Sequence, residues 1–318
     1  MVFLFIQQME KLQDNLPQWR NEVLDAVIEM SGDDDGLQSA CLLSFITGYP
    51  ITDYTDFDNG RYSIMPLDKR ERISVDLPKV KGKGIDNHFM QFSERTVLNH
   101  EMINVNNQRN IPFDEYLRKY AMSTFVLIYA VYKDKISLPK KERLLMMILT
   151  IDSGYKGYYK YRKNFIENLE YIGLKDELLP VLEKYSEKDF EKFALRISEQ
   201  MPQNFFLNKE GYLVFSDDAE VQARAERYLE RLSEELGFPI ALPTRQFHLV
   251  RDLKNNGKQN IHQNERVEYD RRTNVKRVYS TIRDLSRDDR VYCYAIVNRG
   301  NVKSSSMVSS DIYGNYIP

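Results

Sequence analysis

Two hydroxyls in the segment NKEGYLVFSDD, Tyr212 and Ser216, stand just ahead of the acid pair Asp217 and Asp218. An exposed loop hydroxyl can attack the α-phosphate of a nucleotide when metal ions activate it, and adjacent carboxylates help place such ions. Tyr212 and Ser216 are therefore the candidate catalytic residues. The same pattern also fits a buried strand with Ser216 or Asp217 capping the next helix. Upstream, Tyr155, Tyr158, Tyr159 and Tyr161 alternate with Lys156, Lys160, Arg162 and Lys163, and no acid interrupts them. Cations beside aromatic faces suit a phosphate backbone with exposed bases, through counterion release and stacking. A helix with tyrosines along a core edge and solvated lysines would read the same way. Arg271, Arg272, Lys276 and Arg277, around a DRRTN turn, form a second candidate nucleic-acid contact.

Other constellations are weaker. Arg95 and His100, in RTVLNH, have the spacing that helical, histidine-dependent RNases use to join an arginine to a general base, in a region that reads as irregular. His248 and Arg251, in FHLVR, match a fragment of tyrosine recombinases, without that family's further lysine and histidine. The run KVKGKG at 79–84 lacks P-loop spacing and reads as an exposed loop. SGDDDG at 31–36 reads as a turn with solvated acids. The four histidines show no ligand spacing with one another or with cysteine, so no metal site and no cofactor are expected. Cys41 and Cys293 read as reduced core residues.

The elements that would position these groups follow from periodicity. Residues 8–30 suggest a helix broken near Pro17, and 37–47 a second one. Strand candidates lie at 61–65 and 72–77. From Phe113 the pattern is helical: a buried helix over 115–132, then helices at 140–152, 156–172, 175–186, 187–200 and 218–237. Gly173 and Gly237 are placed to stop helices, and Ser186 to cap one. FHLV, RVEY, KRVYSTI and RVYCYAIV then predict an antiparallel sheet. The expected fold is α+β: an acidic mixed region (1–112), a helical bundle (113–240), a basic β-rich module (241–303) and a mobile tail (304–318). Charge is asymmetric beneath a net of −2, with 9 basic and 15 acidic side chains in 1–90 against 14 and 7 in 245–303. No apolar run reaches the length of a membrane span. The opening MVFLFIQQ has no signal-peptide pattern, so the host cytoplasm or a virion is the expected location.

The stretch from NFIENL (164–169) through DFEKFALRISE (189–199), with the loop and helix that follow, resembles the priming region of terminal proteins of small protein-primed tailed phages. The resemblance covers residues 155–237. It implies a helical bundle that sits in a DNA polymerase and offers a loop hydroxyl, Tyr212 or Ser216, as primer, with DNA and the polymerase as partners. Two departures stand out: the amino-terminal region is acidic where that family is basic, and about 80 residues follow the priming helices. A virion, collar or nucleocapsid subunit that self-associates is the alternative expectation.

Overall fold

The computed structural model describes residues 11–57, 59–93, 95–260, 266–270, 275–279, 291–298 and 301–307. The first half is built on strands. In chain order these elements are β1 (Ala26–Met30), α1 (Asp34–Thr47), β2 (Ile51–Asp56), β3 (Gly60–Ser63), β4 (Glu71–Val75), β5 (Gly84–Ile85) and β6 (Met102–Ile103). Strand β1 pairs in parallel with β2 on one side and β4 on the other, and β5 and β6 continue the parallel run. All five residues of β1 are buried. The helix expected over 8–30 is instead two short 3₁₀ turns, Leu12–Asn15 and Gln18–Asn21, followed by this strand. A fully buried run such as AVIEM carries no alternation to separate strand from helix, and its β-branched Val27 and Ile28 favour the strand.

Helices cover one face of the sheet. They are α2 (Val105–Gln108), α3 (Thr124–Val131), α4 (Glu142–Thr150), α5 (Lys156–Lys160), α6 (Arg162–Ile172), α7 (Lys175–Lys184) and α8 (Glu187–Ser198). Every residue of α3 is buried, and Ile28, Met30, Leu37 and Phe125 share one core with the helices behind it. The expected helix stops hold, since Gly173 takes a left-handed conformation and Ser186 caps α8 in a reciprocal capping box with Asp189. A two-stranded unit, β7 (Phe206–Leu207) and β8 (Leu213–Val214), precedes α9 (Ala219–Leu236).

The last strands are β9 (His248–Asn260), β10 (Arg266–Asp270), β11 (Val275–Tyr279), β12 (Val291–Asn298) and β13 (Asn301–Met307). β10 and β11 pair with each other as a separate antiparallel two-stranded sheet. The others extend the main sheet, in the order β12-β13-β9-β3-β2-β1-β4-β5-β6. Strand β9 pairs with β3, and β12 reaches the segment between β4 and α2, where Tyr294 and Ile296 amides bond the carbonyls of Pro78 and Phe89. The α+β class stands, and one sheet joins strands from both sides of position 241. Residues 304–307, expected in a mobile tail, instead belong to β13, with Ser304 and Ser305 buried. Residues 308–318, and Arg271 and Arg272, lie outside the described residues.

Candidate metal centre

Acids follow directly on three neighbouring parallel strands. Ser31 to Asp35 lead from β1 into α1, Asp76 ends β4, and Asp86 ends β5. In an open α/β sheet, ligands gather outside the carboxyl ends of the strands, near the point where chain order reverses. Here β1 is followed by β2 on one side and β4 on the other, so that point lies between β1 and β4.

The loop after β1 turns tightly into the helix. Asp33 caps α1 by accepting from the Gly36 amide at 3.0 Å. Position 36 must be glycine, because a Cβ there would lie 2.0 Å from Ser31 Oγ. That close approach lets the Ser31 hydroxyl lie 3.1 Å from Asp33 Oδ1 and 2.8 Å from Asp76 Oδ2. Asp35 is buried and accepts the first amides of α3, Thr124 N at 2.7 Å and Phe125 N at 3.0 Å, plus Ser39 Oγ at 2.9 Å. Thr124 Oγ1 donates to Asp76 Oδ1 at 2.9 Å, so one helix start holds both carboxylates.

His88 completes the group. Its Nδ1 lies 2.7 Å from Asp86 Oδ1 and 3.8 Å from Asp76 Oδ1, and about a third of the side chain is exposed. Asn104 Nδ2 fixes Asp86 from the other side at 3.0 Å. With Nδ1 occupied by Asp86, the other ring nitrogen is the one free to meet a metal or a substrate oxygen. Asp152 arrives from the turn after α4, and Asn87 Nδ2 reaches its Oδ2 at 3.4 Å.

Backbone strain gathers at the same place. Only four described non-glycine residues have positive φ, and Asp76, Asp152 and Ser153 are three of them. Each such residue costs on the order of 1–3 kcal/mol, which marks sites where position matters more than comfort.

The electrostatics are unbalanced. Burial pushes the Asp35 carboxyl well up, with Asp152 and Asp33 adding to it against the Thr124 and Phe125 amides. Asp76 is raised by burial, then by Asp33, Asp35, Asp86 and Asp152. Burial carries Asp34 up to about 7, against its bond from Gln38 and with Asp33 adding to the rise. Asp152 is raised by partial desolvation, with His88 opposing and Asp33 adding. For His88, burial works against the charge, but Asp86, Asp152 and Asp33 outweigh it and lift the imidazole to about 9. Five carboxylates (Asp33, Asp35, Asp76, Asp86, Asp152) thus face one imidazolium. Carboxylates that raise one another in this way call for a cation. Ligand atoms of Asp76, Asp86 and His88 lie within 4.8 Å of one another, close enough to share one ion.

Two clefts open on the cluster. One, of about 220 Å³, is lined by Asp33, Asp34, Asp35, Asp152 and residues of α4 and α8. The other, of about 420 Å³, runs from His88 and Asp152 past Lys119, Lys156, Lys160, Tyr116 and Tyr161.

That second cleft divides the tyrosine–lysine cluster. Tyr155 and Tyr158 are core residues, Tyr155 stacking on Phe190 at 5.0 Å. Tyr159 donates to the Tyr185 carbonyl at 2.6 Å. Arg162 and Lys163 pair with Glu183 and Glu167. Lys156, Lys160 and the half-exposed Tyr161 remain to face the cleft. The stretch is short helix α5 joined to α6, so its residues point to several sides and cannot all meet one ligand.

The other sequence candidates lie elsewhere. Tyr212 is exposed, at 42%, in the turn before β8, while Ser216 Oγ accepts the Asp218 amide at 3.1 Å. Neither lines the clefts beside the carboxylates. Lys276 and Arg277 lie on β11. Arg95 and His100 are exposed on an irregular segment, and His248 and Arg251 lie on β9. One expectation is corrected: the acids of SGDDDG are not free solvated groups, since Asp35 is buried against the start of α3. Histidine and cysteine spacing takes no account of carboxylates, and β4 and β5 bring Asp76 beside Asp86 and His88. The KVKGKG lysines are partly consumed by protein acids: Lys79 pairs with Glu29 at 2.9 Å and Lys83 with Glu71 at 2.6 Å.

A usable sequence signal existed. Apolar strands each end on acid, in AVIEMSGDDD, RISVD and GID, and a fourth apolar run, MILTID, does the same from a helix. No protein-family model matches the chain, and neither do curated proteins or solved structures. Among the described residues no helix is long and apolar enough to cross a membrane.

Proposed function

We propose that this protein is a divalent-metal-dependent phosphoester hydrolase acting on nucleic acid, with its metals held by Asp33, Asp35, Asp76, Asp86 and Asp152 and with His88 beside them. The observation that carries the reading is the convergence of five carboxylates and one histidine at the carboxyl ends of β1, β4 and β5, opening on a cleft lined by Lys119, Lys156 and Lys160. With every carboxyl ionised, five carboxylates against one imidazolium leave a formal excess of four negative charges, which matches two divalent cations rather than one, and paired hard cations are held by carboxylates in many phosphoryl-transfer enzymes. When bound, such ions supply a polarised phosphorus and a water of lowered pKa.

The chain's own residues supply the rest. Lys119, Lys156 and Lys160 attract the phosphodiester and set it against the carboxylate cluster. Tyr161 offers a ring on which a base stacks. Ser31 and Thr124 hold Asp76 in one rotamer, so its oxygens do not swing during turnover. In hydrolysis a water oxygen forms a bond to phosphorus and gives up a proton to solvent, the ester P–O bond breaks, and the leaving oxygen takes a proton. His88, anchored through Nδ1 on Asp86, is placed to supply that proton from its other nitrogen.

The test uses purified protein with bis-p-nitrophenyl phosphate and a labelled single-stranded oligonucleotide, with manganese or magnesium and with chelator. Metal-dependent release of p-nitrophenol and shortening of the oligonucleotide support the reading. Failure with both substrates under every divalent ion would sink it.

One observation favours a second reading. The exposed Tyr212 hydroxyl is available as a nucleotide acceptor, in keeping with the resemblance to protein primers. Incubation with a DNA polymerase and a labelled deoxynucleotide tests this, and label that persists on Tyr212→Phe would exclude that hydroxyl.

A further inference from the structure

A third cleft, of about 560 Å³, lies between α4, α8 and α9. Its floor is apolar, with Leu144, Phe193, Tyr228 and Leu232, and its rim carries Arg143, Arg196 and Arg231. Glu235 pairs with Arg143 at 3.5 Å and Gln200 accepts from Arg231 at 3.3 Å, while Glu199 also stands on the rim. Among the described residues Arg196 has no hydrogen-bond or ion-pair partner.

The three clefts are linked in series by shared lining residues. The basic cleft and the acid-lined cleft share Asp152 and Ser153. The acid-lined cleft and the arginine cleft share Met147 and Ile197. Arg143 lies four residues before Met147 on α4, about one helical turn or 6 Å away. Arg196 is the immediate neighbour of Ile197 on α8. A chain leaving the carboxylates past Met147 and Ile197 therefore meets guanidinium groups within roughly one helical turn.

We infer that the arginine cleft is a distal phosphate subsite, and that the substrate is a phosphodiester chain of several units passing from the lysine side, across the carboxylates, to Arg143, Arg196 and Arg231. The inference rests on the hydrolase reading and deepens it, because a single nucleotide would fill one cleft and leave the others idle. Arginine forks suit phosphate oxygens, and an apolar floor suits the faces of bases or sugars. The lysine side and the arginine side differ in kind: the first attracts through mobile point charges, the second orients through planar pairs.

The experiment is fluorescence anisotropy with the full chain and calcium ions, using a labelled dinucleotide and a labelled dodecathymidylate. Two variants are compared with the parent, Arg196→Gln alone and Arg196→Gln combined with Arg143→Gln and Arg231→Gln. Arg196→Gln breaks no polar contact among the described residues, so unchanged dinucleotide binding separates its effect from a folding defect. The expected result is a loss of about 3- to 10-fold for the dodecamer with the single variant and more with the triple, with dinucleotide binding unchanged. The slope of log affinity against log salt should fall by about 2 in the triple variant. Unchanged dodecamer affinity, or a parallel fall for both lengths, would overturn the inference. A parent that hydrolyses bis-p-nitrophenyl phosphate but binds neither oligonucleotide also overturns it and leaves metal-dependent phosphoester hydrolysis standing. A parent that binds the dodecamer through these arginines yet hydrolyses nothing supports the subsite and removes the hydrolase reading.

Discussion

One sheet carries two buried ionic groups, and they are resolved in opposite ways. Glu29, on β1, faces away from α1 and meets Lys79 Nζ at 2.9 Å, Thr55 Oγ1 at 2.6 Å and the Tyr292 hydroxyl of β12. Burial opposes its charge, but Lys79, Arg61 and these hydrogen bonds draw it down to about 2. Burial opposes the charge of Lys79, but Glu29 and Tyr292 raise it, and Tyr292 is pushed up to about 12 by burial and Glu29. A few residues further along the chain, beyond the end of β1, Asp34, Asp35, Asp76 and Asp152 lack such close ion pairs and are pushed up instead. Opposite charges within the fold make the first group a structural joint between the two ends of the chain. Leaving the second group unbalanced stores a deficit that an external cation or substrate can fill, which is the pattern expected at a functional site.

Asp76 is where this contrast meets its severest test. Asp76→Asn should cut kcat on bis-p-nitrophenyl phosphate by on the order of 10³, about 4 kcal/mol of barrier, while leaving the metal-free protein as stable as the parent or more so. A variant that lost activity only by unfolding would place Asp76 with the structural group instead. On the other face, Lys79→Met leaves Glu29 buried and unpaired, and denaturant unfolding should show a loss of about 3–5 kcal/mol. Were that variant as stable as the parent, the joint would contribute little.

A smaller effect separates the groups by ligand. Manganese at about 100 times its dissociation constant should stabilise the parent by roughly 2.7 kcal/mol in a thermal melt, and should do the same for Arg61→Lys but not for Asp76→Asn. The least effect is in the pH profile with chelator present. Asp34, raised from 3.8 to about 7, binds more protons folded than unfolded between those values, so stability falls as pH rises through that window. His88, raised from 6.5 to about 9, contributes stability below its unfolded value that is lost as pH rises through about 9. Glu29 acts the other way and lower down: its contribution is present above 4.5 and disappears as pH falls through about 2. Metal-free protein should therefore be more stable near pH 5 than near pH 8, by about 1–2 kcal/mol in urea titrations, since a tenfold change in proton affinity on folding corresponds to about 1.4 kcal/mol before solvent screening. A flat profile would mean the acids are balanced by something other than metal.

Much of the helical half is legible residue by residue. Gly173, Ser186 and Gly237 sit at the helix ends where their local chemistry puts them, because capping depends on neighbours three or four positions away. The strands at 60–63 and 71–75 also follow from local pattern. By contrast the residues of β1 suggest a helix, because a run buried on both sides loses its alternation. The candidate site is the least legible part. Its members are spread from Asp33 to Asp152, at spacings that match no local ligand motif, and the aromatic–basic cluster stands out only because it is contiguous. Three of its eight side chains face the cleft.

Local chemistry alone fixes the helix ends at Gly173, Ser186 and Gly237, that Cys41 and Cys293 are buried free thiols, and that acids follow the apolar runs of the first half. Those properties depend on short-range sterics, hydrogen bonding and solubility, all of which can be read along the chain. Which acids are neutralised is a matter of the fold. Parallel pairing of β1, β4 and β5 aligns their carboxyl ends, whereas the return of β12 over the opposite face brings Tyr292 and Lys79 to Glu29. Coulomb energy depends on distance in space and on burial, and neither is written in the spacing of residues along a chain.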